Sequence, residues 1–191
     1  MTRTYTKGKR AEQEAETRQR IVEATLDLHT EVGPAQTTVS MIAERAGVQR
    51  HTVYAHFPDE RTLLMACSGL HMTREPLPSP ETWETINDAS VRMKAALTAL
   101  YAWFARNETV TAAILRDAEH HVLLREVSGL RFGPGLEGIA ASVSAGLGEK
   151  GKAALTLAMS FHTWRSLVRE AGLNQDAAVD LMARTVLAAD A

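Results

Sequence analysis

A chain of 191 residues, 45% of them hydrophobic, is long enough to bury a core of one or two compact domains, and a net charge of −2 excludes a nonspecific polycationic coat for nucleic acid. Aromatics at 5%, abundant Ala and Leu, and the absence of alternating apolar and polar runs predict an all-α fold. The single cysteine, Cys67, rules out an intramolecular disulfide, and with no export signal and no apolar run of membrane-spanning length a cytoplasmic protein without a membrane partner is expected.

Charges nearly balance over residues 1–74 and turn mildly acidic beyond, so any DNA-binding face must be local. Arg3, Lys7, Lys9 and Arg10 make a basic tail, which reads either as a solvated terminus or as an arm that follows a phosphate backbone or reaches a minor groove. A first helix is predicted over Glu12–Val32, with Ile21, Ala24, Leu28 and Val32 inward and Gly33-Pro34 as its stop. His29 follows Leu28 and reads as a satisfied or partly exposed histidine, since an imidazole buried there would need a partner.

Thr37–Phe57 reads as two short helices around a turn at Gly47. Val39, Ile42, Ala43 and Ala46 follow i, i+3, i+4, i+7 spacing, with Thr37 and Thr38 in capping position and Gly47 as the stop. Val48, Val53 and Phe57 can close over this helix, leaving Gln49, Arg50, His51, Thr52, Tyr54 and His56 outward. That is the logic of a helix-turn-helix, in which the second helix offers hydrogen-bonding side chains to a groove. Arg50 could grip guanine through two hydrogen bonds.

The run TTVSMIAERAGVQRHTVYAHFPDERTLL resembles the DNA-binding signature of TetR-family transcriptional repressors, through Thr37-Thr38-Val39, Ile42-Ala43, Ala46-Gly47-Val48, Tyr54, His56-Phe57 and Leu63-Leu64. The resemblance extends over Ile21–Leu64 and implies phosphate contacts from Tyr54, His56 and Thr38, the last through its hydroxyl and a helix N-terminal amide. His51 stands where the family often has a small residue, so it individualises the operator. The chain departs from the family at Glu60, where a lysine commonly meets a phosphate; a carboxylate repels one, and Arg61 is the neighbour that could replace it. Asp59 caps the segment from Glu60 onward, whose stripe of Leu63, Leu64, Cys67 and Leu70 assigns Cys67 to packing.

Pro76, Pro78 and Pro80 mark a linker at residues 75–81. A long amphipathic helix is then predicted from Thr82 to about Arg106, with Trp83, Ile86, Ser90, Met93, Leu97, Leu100 and Phe104 on one side. Shorter segments follow near Thr109–Ala118 and Glu119–Leu130. Asn107-Glu108-Thr109 matches a glycosylation acceptor by coincidence, Asp117 and Glu119 read as a solvated face, and adjacent His120 and His121 diverge too far to share a metal. Gly133-Pro134-Gly135-Leu136-Glu137-Gly138 fits G-x-G-x-x-G spacing, but without a βαβ pattern it predicts a loop before the next helix and no dinucleotide cofactor. A helix over Ala153–Ala171 carries apolar residues on two sides, Leu155 and Met159 against Leu157, Phe161, Trp164 and Val168, and the second side asks for a partner subunit. A terminal helix is predicted over Asn174–Ala189.

These readings give about nine helices: an N-terminal arm and helix-turn-helix head (1–58), a connecting helix (59–75), and an effector-binding and dimerisation domain (76–191). The resemblance implies a homodimer through the helices at about 135–149 and 153–171, a palindromic double-stranded DNA operator, and a small-molecule effector that releases it. Trp83, Met93, Leu97, Leu100, Tyr101, Phe104, Phe161, His162, Trp164 and Arg165 are the candidate pocket; the same spacing also suits ordinary core, and its bulk points to an apolar or aromatic effector. Two alternatives stay open: a constitutive or architectural DNA-binding protein without an effector, and an all-α enzyme, for which no convergent catalytic set, zinc spacing or phosphate loop is present.

Overall fold

The computed structural model describes residues 3–190, with side chains from Gly8 onward. Ten α-helices occur and no strand is found among the described residues. They are α1 (Arg3–Glu31), α2 (Val39–Ala46), α3 (Arg50–His56), α4 (Glu60–Arg74), α5 (Ala89–Arg106), α6 (Glu108–Ala118), α7 (Val122–Val143), α8 (Glu149–Ala158), α9 (Phe161–Arg165) and α10 (Gln175–Ala188). Among the described residues two compact units form, one from the chain up to Arg74 with Ala112–Arg131 and the other from Glu75–Thr111 with the chain from Phe132 onward. The first therefore includes a segment well beyond the linker.

In the first unit α1 packs on α2 and α4. Ile21, Val22, Ala24 and Leu28 meet Ile42, Ala43, Ala46, Val53, Phe57, Leu63, Leu64 and Cys67, and Ala118, Leu124 and Val127 complete the core. Val32 falls outside it, exposed beyond the last turn of α1. Helix α1 begins at Arg3 rather than near Glu12, because no proline or cap interrupts the basic stretch. The expected tail is thus helical; Lys9 and Arg10 are exposed, while the side chains of Arg3 and Lys7 lie outside the described ones.

In the second unit α10 packs on α5 and α8. Helix α5 starts at Ala89 and not at Thr82, because Asp88 takes the amide of Val91 at 2.9 Å as its cap while Ser79-Pro80 closes a separate 3₁₀ turn over Pro80–Thr82. Trp83 and Ile86 therefore precede the helix, although Trp83 is still buried.

Two other helix boundaries differ from expectation. Residues 133–138 form no loop: α7 runs straight through Pro134. The carbonyl that Pro134 leaves without its usual amide donor is that of Leu130, an exposed residue where water can serve. The predicted helix over Ala153–Ala171 is broken instead, since Ser160 accepts the amide of His162 at 3.2 Å and restarts the chain as α9, which runs on into a π-helical stretch at Ser166–Glu170. That break turns Phe161 and Trp164 into the same core as Leu155 and Ala158, leaving Leu157 exposed. The two-sided apolar pattern largely disappears with it.

Candidate nucleic-acid interface

Local chemistry explains why α2 and α3 form and stop where they do. Thr38 Oγ1 accepts the amide of Met41 at 3.3 Å and so caps α2, which keeps its own hydroxyl proton for a further acceptor. Gly47, at φ 65°, ends α2 in the left-handed region and gives its amide to Glu44 and Ala43 carbonyls. Arg20 of α1 donates to the carbonyl of Ala46 at 3.1 Å, and Arg45 grips Glu31 with two bonds of 2.7 Å, so both sides of α2 are tied to α1.

Helix α3 is anchored by two side chains, Val53 at 1% and Phe57 at 3% exposure, with Arg18 stacked over the Phe57 ring at 4.6 Å. Everything else on it faces outward or to the rim. Gln49, Arg50 and His51 are exposed, Tyr54 is half exposed, and Thr52 and His56 are partly covered. Gln49 sits in cap position yet spends no side-chain hydrogen bond on the helix, so its amide group is available at the leading end.

The start of α4 holds what sequence reasoning did not find. Asp59 accepts the amide of Thr62 at 2.7 Å as the expected cap. Glu60 Oε1 lies 2.9 Å from His121 Nε2, and Arg61 is paired with Glu126. Arg61 is thus held by a carboxylate of α7. His121 also takes the amide of Leu124 on Nδ1 at 3.2 Å, and its place just before α7 was the signal for that capping role.

Beneath the helices, three polar residues lie on the inner face. His29 Nδ1 lies 3.7 Å from Cys67 Sγ, and burial pushes the imidazole down to about 4 despite the nearby Asp117. Burial raises the Cys67 thiol to about 12, which leaves it inert as a nucleophile. Asp117 is not the solvated carboxylate expected: it is buried, accepts the amide of Ala35 at 2.8 Å and binds Arg116 at 2.7 Å. Burial works against its charge, but Arg116 and the Ala35 amide outweigh it and hold the pKa below the ordinary value.

Of the pocket candidates in the second unit, Trp83, Met93, Leu97, Leu100, Tyr101, Phe104, Phe161 and Trp164 are buried together, whereas His162 and Arg165 are exposed. Phe104, Phe161 and Trp164 form one aromatic group with centroids 5.4 to 6.0 Å apart. Tyr101 donates to the carbonyl of Ala158 at 2.9 Å and Trp83 donates to Ser142 Oγ at 2.9 Å. Trp164 Nε1 is the buried side-chain polar atom among the described residues that has no partner. Asn107 is buried too, its amide donating to the Trp103 carbonyl at 3.0 Å, which suits packing and not an exposed glycosylation site.

Residues 21–67 match the family model described as bacterial regulatory proteins, tetR family. The helix-turn-helix segment of this chain is thus similar to the DNA-binding domain of that family. The transcriptional regulator SrpR of Pseudomonas putida is 41% identical over 58 residues, which span 30% of this chain and 27% of that protein. The matched stretch is therefore the helix-turn-helix segment and little more. A transcriptional regulator from Rhodococcus sp. RHA1 shares the fold over 89% of this chain and 95% of its own, at 22% identity and a TM-score of 0.63. The multidrug binding protein EbrR, complexed with imidazole, superposes over 87% of this chain and 93% of its own at 20% identity and a TM-score of 0.61. The fold shared with these structures thus extends through both units. No helix among the described residues is long and apolar enough to cross a membrane.

Proposed function

We propose that this protein is a dimeric, sequence-specific DNA-binding transcriptional repressor that a small-molecule effector releases from a palindromic operator. The observation that carries the reading is α3 itself: two buried anchors, Val53 and Phe57, behind an outward row of Gln49, Arg50, His51 and Tyr54, inside a TetR-family domain. Gln49, Arg50, His51 and Thr52 read base edges, while Thr38, Tyr54 and His56 hold phosphates. Arg61 joins them only if it leaves Glu126. Two such heads about a two-fold axis read two half-sites, and the segments at about 135–149 and 153–171 are the proposed pairing elements.

The effector occupies the second unit. Supporting this are the aromatic group of Phe104, Phe161 and Trp164, with its unmatched indole N–H, and the fold shared with EbrR, a multidrug binding protein seen with imidazole. By linkage the effector binds the released form more tightly, by the same factor as it weakens DNA binding.

Selection of bound fragments from a random DNA pool tests the reading. An enriched palindrome is expected. Salt-sensitive binding with no enriched sequence would overturn it in favour of an architectural protein.

A further inference from the structure

The head contains a cleft of about 320 Å³ between α2, α3 and α4. Its size is within the range of small-molecule sites. Ile42, Val53, Phe57 and Leu63 give it apolar walls, all four of them buried. His29 also lines it and is only 7% exposed, so it sits deep. Asp59 and Glu60 line it as well, but both are exposed, which puts two carboxylates at the mouth.

The hydrogen-bond network fixes what the deep end can accept. Cys67 donates its S–H to the Leu64 carbonyl at 3.4 Å, so its sulfur receives the proton of His29 Nδ1. The lone pair of the neutral ring is then on Nε2, for which no partner is present among the described residues. A lone pair at the bottom and carboxylates at the mouth both repel an anion and both welcome a donor. Each mouth carboxylate has an oxygen to spare, since Asp59 uses Oδ1 on Thr62 and Glu60 uses Oε1 on His121.

We propose that this cleft binds a small arylalkylamine: the ring between the apolar walls, the ammonium at Asp59 and Glu60, and a hydroxyl or N–H at the far end donating to His29 Nε2. The site lies wholly within the DNA-binding head and is separate from the effector site proposed in the second unit. Its occupant touches Val53, Tyr54 and Phe57 of α3, so it is a second small-molecule input at the DNA-reading element itself.

Three probes of similar length separate the parts of the claim: tyramine, phenethylamine, which lacks the hydroxyl, and 3-(4-hydroxyphenyl)propionate, which reverses the charge. Methyl NMR on the full-length protein without DNA reads binding directly, so the result does not depend on any operator. Tyramine is expected to shift Ile42, Val53 and Leu63 methyls saturably, phenethylamine to bind several-fold more weakly, and the propionate to leave them unmoved. Combining Asp59→Asn, which keeps the cap, with Glu60→Gln should weaken tyramine roughly ten-fold, as loss of two modest ion pairs would. Val39→Trp, at the half-buried wall, should abolish the shifts while the circular dichroism spectrum is kept. Equal binding by the propionate, shifts unaffected by Val39→Trp, or no saturable shift overturns the site, and equal binding by phenethylamine overturns the role of His29.

Discussion

His121 Nε2 lies 2.9 Å from Glu60 Oε1 while the Nδ1 of the same ring accepts the amide of Leu124, so one imidazole caps α7 and holds the first turn of α4. One residue on, Arg61 of α4 pairs with Glu126 of α7. The two pairs tie the first turn of α4 to the start of α7. In the proposed DNA-binding reading this geometry withdraws the cation nearest to Glu60 from the phosphates.

Removing the carboxylate that holds Arg61 should therefore strengthen DNA binding. Glu126→Gln is expected to raise operator affinity roughly two- to five-fold at low salt, since an exposed ion pair holds Arg61 only weakly. It should also steepen the dependence of log affinity on log salt by about one unit, the signature of one more phosphate contact. Fluorescence anisotropy across a salt series reads both. Unchanged affinity and slope would mean that Arg61 meets no phosphate even when released.

The helix-turn-helix was legible because every signal in it is local. Thr38 at the cap, the spacing of Ile42, Ala43 and Ala46, and Gly47 at the stop all lie within ten residues, and the structure puts each in its expected place. The pairs Glu60–His121 and Arg61–Glu126 were not, because they join residues more than sixty positions apart and depend on tertiary placement. Boundaries failed where two caps competed: Ser79-Pro80 and Asp88 both announce a helix, and only the second begins a long one. Pro134 failed in the opposite sense, since a helix tolerates proline where the orphaned carbonyl faces water. Asp117 was misjudged because its partner amide, Ala35, is far off in sequence.

His29 predicts a distinct pH dependence of stability. Its folded pKa is depressed to about 4 by burial, below the ordinary 6.5. The unfolded chain therefore takes up a proton as pH falls below 6.5 while the folded protein does not, and stability drops until pH reaches the folded value. The full loss is roughly 3 kcal/mol, the depression times the free energy of one pKa unit. Urea melts at pH 7 and pH 4.5 should show His29→Gln to be less sensitive over this window than the parent. Equal sensitivity would show that other groups dominate.

Asp117 should be a structural residue whose loss is felt at a distance. Asp117→Ala leaves the Ala35 amide without its acceptor and frees Arg116, and is expected to cost about 1 kcal/mol, the usual net contribution of a hydrogen bond whose donor water can reach. Asp117→Asn keeps an acceptor oxygen and should recover part of that. Since the carboxylate pKa is held low, the charge-dependent part is present above the unfolded value and fades as pH falls through the folded one. Paired urea melts of the two variants against pH measure it.

Gly33 should tolerate substitution least among the turn glycines. It adopts φ 93°, and a Cβ there would sit 2.3 Å from Arg116 Nη2 and 2.8 Å from Asp117 Oδ2. Gly47 is also left-handed, at φ 65°, but the nearest atom to its Cβ, Arg20 Nη1, is 3.7 Å away. Gly47→Ala therefore carries backbone strain alone, about 1 kcal/mol, whereas Gly33→Ala adds displacement of the Arg116–Asp117 pair and should cost about 2 kcal/mol or more. Because Asp117 also holds the Ala35 amide, the two positions share one network. The Gly33→Ala and Asp117→Ala costs should then fall short of additive in a double-mutant cycle, while Gly47→Ala adds independently to Asp117→Ala. Additivity at both glycines would show that the loop after α1 relaxes without disturbing Asp117.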